Sequence, residues 1–246
     1  MNIQISSNKL VRNLILLGVA LSLISLFIQG VQYFSSFSIH PKIVFYLNVD
    51  AENNVPTLYS SALLFLSSVL LYTIAVAARG ARKKLYWQGL ALVFLFLSVD
   101  ELLQLHENIN GLLNSTTQAG DSISGSGRWD VFSLMLFAVV SLSYFRFFLA
   151  LPQRVKRLFF VAAVSFVVGG AGIEFIGVNF FPDIYHQPIF LAEVISTVEE
   201  FLEILGTCLF ISGLLAYTQY ELKAIRLEFA SVPKNGVLQE AEKASV

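Results

Sequence analysis

Six apolar stretches of about twenty residues divide the chain, at roughly 12–34, 56–78, 86–108, 129–151, 158–181 and 189–218. Each is long enough to cross the ~30 Å hydrocarbon core of a bilayer as a helix. Lipid offers no partner for backbone N–H and C=O groups, and a helix is the structure that satisfies them within one such stretch. Composition agrees: 56% of the 246 residues are hydrophobic and 13% are charged, with mean hydropathy +0.69. The expectation is an all-α integral membrane bundle of six transmembrane helices over residues 1–222. A polar cytoplasmic tail follows over 223–246.

Orientation follows from the basic residues. With the N-terminus in the cytoplasm, the inner segments hold Lys9, Arg12, Arg79, Arg82, Lys83, Lys84, Arg154, Lys156 and Arg157, and the tail adds Lys223, Arg226, Lys234 and Lys243. The outer segments hold Lys42 and Arg128, and Arg146 is close enough to the inner surface to snorkel there. Both termini are therefore expected in the cytoplasm, with the chain in a bacterial inner membrane. Lys9 and Arg12 ahead of an apolar run look like the start of a signal sequence, but no small-residue cleavage site closes the run, so it reads as a retained first span. No basic cluster is dense enough for a nucleic-acid partner. Cys208 is the single cysteine, which excludes an intrachain disulfide and suits a small core residue. Trp87 and Trp129, near span ends, are expected as interfacial anchors. His40 reads as a loop residue without a visible partner. The loop after span three is rich in Gly and Ser, and its Asn114-Ser115-Thr116 matches a glycosylation sequon.

The chemistry concentrates in Thr197-Val198-Glu199-Glu200-Phe201-Leu202-Glu203, inside the sixth apolar run. At ~100° per residue the three glutamates share one helical face, with Glu193, Ser196 and Thr207 continuing it, while Leu191, Ile195, Val198, Leu202 and Leu205 form the apolar side. A carboxylate at membrane depth costs ~2.5–3.5 kcal/mol on insertion scales. Asp100 and Glu101 fall in the outer half of span three, Glu107 near its outer end, and Glu174 in the outer half of span five. Three helices thus bring acids to similar depth. Gly170 and Gly177 share the side of Glu174, and small residues there allow a close helix approach. His106 lies about 120° around span three from Asp100, so it joins the acids only if that helix bends or unwinds. His186, just before span six, could fold over the same place.

Clustered carboxylates without basic partners are neutralised by protons or by a guest cation. Oxygen ligands with one or two imidazoles suit iron, manganese or zinc, and an all-oxygen site suits calcium or magnesium. The candidate ligands of a divalent metal (iron, manganese, zinc or calcium) are Asp100, Glu101, Glu107, Glu174, Glu200 and Glu203. His106 is a further ligand or general base, and Glu199 a spare carboxylate able to move a proton. Soluble di-metal bundles use Glu-x-x-His pairs; here Glu200-x-x-Glu203 and Asp100-Glu101…His106-Glu107 are similar in kind but differ in spacing. A water-filled polar interior with no bound ion is the competing reading.

Ser98-x-Asp100-Glu101-x4-His106-Glu107, followed by Glu199-Glu200-x-x-Glu203, resembles a pattern of uncharacterised bacterial multi-pass membrane proteins. The resemblance covers spans three to six and implies a shared architecture without an activity. Three functions then compete. One is a metal-dependent membrane enzyme, a hydrolase or oxidoreductase acting on a lipid or other apolar substrate. Another is a cation or proton transporter, which the scarcity of polar residues in the inner halves of the spans disfavours. The third is an accessory subunit of a membrane complex.

Overall fold

The computed structural model describes residues 6–105, 126–181 and 189–221. Among these, all regular structure is helical: α1 (Ser7–Phe34), α2 (Pro41–Leu47), α3 (Val55–Ala77), α4 (Ala81–Leu103), α5 (Ser126–Leu149), α6 (Gln153–Val167), α7 (Glu174–Phe180) and α8 (Phe190–Glu221). A π-helical turn, Val168–Ile173, joins α6 to α7. Among the described residues, five helical stretches are long and apolar enough to cross a membrane: Ser7–Phe34, Val55–Ala77, Ala81–Leu103, Gln153–Gly177 and Phe190–Tyr220. They correspond to five of the six expected spans. α5 covers the remaining one, and among the described residues its apolar stretch is Ala138–Leu149.

Local signals explain most boundaries. α3 starts where Asn54 accepts the Thr57 N–H at 3.0 Å, with Pro56 in the first turn, where its missing N–H costs nothing. α4 starts and ends about five residues earlier than the apolar pattern suggested. It stops at Leu103, and Gln104 turns left-handed (φ 51°) with its N–H on Asp100 O at 2.8 Å. The Gln104 side chain accepts from Asn53 Nδ2 at 2.6 Å and donates to Glu52. A polar loop from the other end of α3 thus fixes the cap, which no periodicity within α4 reveals. The connection after α1 contains a helix, α2, led by Pro41, and His40 caps it by accepting the Lys42 N–H at Nδ1 (3.3 Å). His40 therefore has a partner, contrary to the expectation from sequence.

α8 sits at the centre, against α6, α1 and α3, and α3 pairs extensively with α4. α1 and α8 run antiparallel: Gln219 Nε2 donates to Ser7 Oγ (2.9 Å) near one end and Gln29 Nε2 to Glu193 Oε2 (2.8 Å) near the other. Small residues set the helix spacing. A Cβ on Gly206 would lie 2.8 Å from Ala162 O and 2.9 Å from Phe166 N, so only glycine allows α6 this close to α8. Two apolar clusters fill the interior. One joins Leu71, Ile74, Val155, Leu214, Tyr217 and Trp87. The other joins Leu63, Ile204, Cys208 and Ile211.

Trp87 departs from the expected interfacial anchor. It is fully buried, tilted against Tyr217 (centroids 4.8 Å apart) and edge-on to Phe147 (4.9 Å). It lies on the side of α4 turned to α8 and α5, and that contact outweighs its nearness to the helix end. Trp129's side chain, the sequon and the tail from 222 onward lie outside the described residues. Cys208 is free and buried, as its apolar setting suggested.

Candidate functional site

α8 presents its acids along successive turns. Glu193, in the first turn, is held by Gln29 of α1. Glu199, Glu200 and Glu203 follow two to three turns inward and are half-buried. Their depth is set by the π-helical turn opposite. A Cβ on Gly169 would meet Glu199 O at 2.8 Å, and one on Gly170 would meet the Glu203 carboxylate at 2.6 Å. Two glycines thus let the α8 backbone and the Glu203 side chain rest directly on the turn. π-turns inside α-helices are frequent at functional sites. Ser165, one turn before, donates to Leu202 O at 2.8 Å and fixes the register.

α4 supplies the other wall. Ser98 and Ser61 clamp α4 to α3 reciprocally: Ser61 Oγ donates to Ser98 O (2.7 Å), Ser98 Oγ to Ser61 O (2.9 Å), and the hydroxyls are 3.1 Å apart. This clamp lies one turn before Asp100 and Glu101 and fixes where they emerge. Between the walls is a cavity of about 150 Å³ whose polar lining is Asp100, Glu101, Glu203, Ser60 and Thr207. Its apolar lining includes Leu63 and Ile204, each 2% exposed, which belong to the buried cluster with Cys208 and Ile211. The cavity is therefore closed on the side toward the basic end of the bundle.

Glu200 lies three residues before Glu203 on α8 and has Glu203, Glu101, Glu199 and Asp50 as its acidic neighbours. Asp50 was not among the expected site residues. It sits in the loop before α3, where Asn54 Nδ2 donates to Phe45 O, Asn48 O and Ala51 O at 2.6–3.0 Å and folds the loop over the bundle. Val49 is buried in the same loop, its N–H on Ser25 Oγ at 3.1 Å. The available signal was Asn53-Asn54-Val55-Pro56, a helix-capping sequence that ties a polar loop to the mouth of a span.

Asp100, Glu101 and Glu203 thus line one cavity, and Glu199 and Glu200 lie on the same helix as Glu203. Among the described residues, no three His, Cys, Asp or Glu side chains gather closely enough to hold a metal ion. His106, Glu107 and His186 lie outside the described residues, and so does the side chain of Glu174, whose backbone opens α7 one turn beyond Gly170.

These features define a helical, membrane-embedded protein with an acid-lined cavity between α4 and α8. Residues 11–218 match the family described as Domain of unknown function (DUF8692), and the chain belongs to that family. No curated protein and no solved structure matches it.

Proposed function

We propose that the chain is a six-span protein of a bacterial inner membrane, with both termini in the cytoplasm, that binds a divalent cation in the outer half of the bilayer. The first ligands are Asp100 and Glu101 of α4 and Glu203 of α8; Glu107, Glu174 and Glu200 complete the set. The cation is iron, manganese, zinc or calcium, all of which accept carboxylate oxygen. His106 and Glu199 serve as proton-moving groups, and the bound ion activates water or oxygen toward a lipid or other apolar substrate. The cavity that Asp100, Glu101 and Glu203 line together carries this reading. Its apolar floor favours a closed binding site over a conduction path for cations or protons.

Elemental analysis of the protein purified in detergent, followed by divalent-metal titration, tests the proposal. Bound metal at a fixed stoichiometry is expected, with affinity reduced ten- to a hundredfold in Glu203→Gln. Glu193→Gln, an acid held by Gln29 outside the cavity, leaves the affinity unchanged. Folded, metal-free protein that takes up none of the four ions excludes this function.

A further inference from the structure

The opposite end of the bundle carries a second cavity, of about 290 Å³, that the acid site does not use. Its walls are Arg82, Lys83 and Tyr86 of α4, Arg146 and Phe147 of α5, and Tyr217 of α8. We infer that it binds the phosphate of an anionic phospholipid headgroup. Three cations converge there, and among the described residues no carboxylate pairs with any of them. Two helix N-termini adjoin the same space. α4 begins after Gly80 and α6 after Pro152, which itself lines the cavity, and neither start has a side-chain cap. Their first-turn N–H groups add positive potential where the cations converge.

The walls are rigid. Tyr86 stacks on Phe147 (centroids 5.0 Å apart), and Tyr144 Oη donates to Tyr86 O at 3.1 Å, which ties α4 to α5. A lipid source fits better than a soluble anion because the flanks are apolar and open. Leu85, Phe145 and Leu149 are 69%, 55% and 52% exposed on the two helices that carry the cations, as surfaces for acyl chains would be. The volume lies near the lower bound of ligand cavities, ~300–1,000 Å³, and suits a headgroup whose chains remain in the membrane. Basic pockets between transmembrane helices on the cytoplasmic side recognise acidic lipid headgroups in this way.

The test is native mass spectrometry of the full chain in detergent micelles doped with phosphatidylglycerol, with phosphatidylcholine and inorganic phosphate as separate arms. Wild type should retain one phosphatidylglycerol in preference to phosphatidylcholine. Arg82→Gln and Arg146→Gln should each weaken retention about fivefold, the effect of one basic residue at an anionic surface. Lys84→Gln and Arg154→Gln remove the same charge outside the cavity and should leave retention unchanged. Equal loss in all four variants would reduce the effect to general surface attraction and overturn the site. Inorganic phosphate displacing the lipid at equal concentration would overturn the lipid assignment.

Discussion

Three glycines in the π-helical turn should respond differently to the same substitution, because each would push a new methyl group into a different kind of neighbour. At Gly172 the nearest atoms are Val167 O at 3.5 Å and Val168 Cβ at 3.9 Å, an ordinary contact. Gly172→Ala should therefore be neutral or stabilising by up to ~1 kcal/mol, the helix-propensity difference between the residues. At Gly169 the new Cβ meets Glu199 O at 2.8 Å and Leu202 Cβ at 3.0 Å, atoms fixed to the α8 backbone. The helices must part by roughly half an ångström, and overpacking of that kind costs ~1–3 kcal/mol. Gly169→Ala should then be destabilised by a net ~0–2 kcal/mol. At Gly170 the obstacle is Glu203 Oε1 at 2.6 Å, the end of a flexible side chain. Gly170→Ala should hold its stability within ~0.5 kcal/mol of wild type, because a side chain can swing at the cost of a rotamer change, while its cation affinity falls. Unfolding in mixed micelles, read by circular dichroism beside a metal titration of each variant, separates the two effects. Equal stability losses at all three positions would refute the close approach of α8 to the turn. Unchanged metal affinity in Gly170→Ala would refute a role for the Glu203 carboxylate.

Two further outcomes follow from polar contacts. In a double-mutant cycle, Ser61→Ala and Ser98→Ala should couple by ~0.6–1.7 kcal/mol, from the average to the maximum found for hydrogen bonds between membrane helices; single variants indistinguishable from wild type in the same unfolding assay would mean the clamp does not form. Asn54→Ala removes the cap of α3 and three contacts to loop carbonyls, so it should cost ~2–3 kcal/mol from a lost cap and unsatisfied polar groups. The same substitution at half-buried Asn48, whose Oδ1 accepts from Asp50 N at 3.1 Å and from Ser25 Oγ at 3.4 Å, should cost less, and a smaller loss at Asn54 than at Asn48 would contradict the described loop.

The helical bundle could be read from sequence because apolar length is a property of continuous segments. That one helix carries Glu199, Glu200 and Glu203 was legible for the same reason. What sequence did not reveal depends on a second segment. The end of α4 is set by Asn53 and Glu52, fifty residues earlier, and those contacts have no trace in the spacing of α4 itself. Trp87 reads as an interfacial residue until Phe147 and Tyr217 are known to enclose it. Asp50 reads as loop until Asn54 folds that loop over the bundle. Gly170 was recognisable as a small residue on the side of Glu174, but not the π-helical turn that sets it against Glu203.

The two ends of the bundle also bear on what can neutralise the acids. Arg82 and Glu101 are nineteen residues apart on α4, or about 28 Å at 1.5 Å per residue. At that distance, several times the Debye length of ~8 Å, an exposed charge offers the carboxylates little. At the acidic end, Lys42 is the one Lys or Arg whose side chain falls among the described residues; it is exposed and pairs with no carboxylate there. Glu200 has Glu203, Glu101, Glu199 and Asp50 as acidic neighbours. Protons and a guest cation are two of the means by which a folded membrane protein accommodates neighbouring acids. The two are separable by experiment: a cation that resides there should raise the unfolding midpoint on metal addition at fixed pH, and chelation should lower it. A midpoint indifferent to metal and chelator would refute a resident cation on this face of α8.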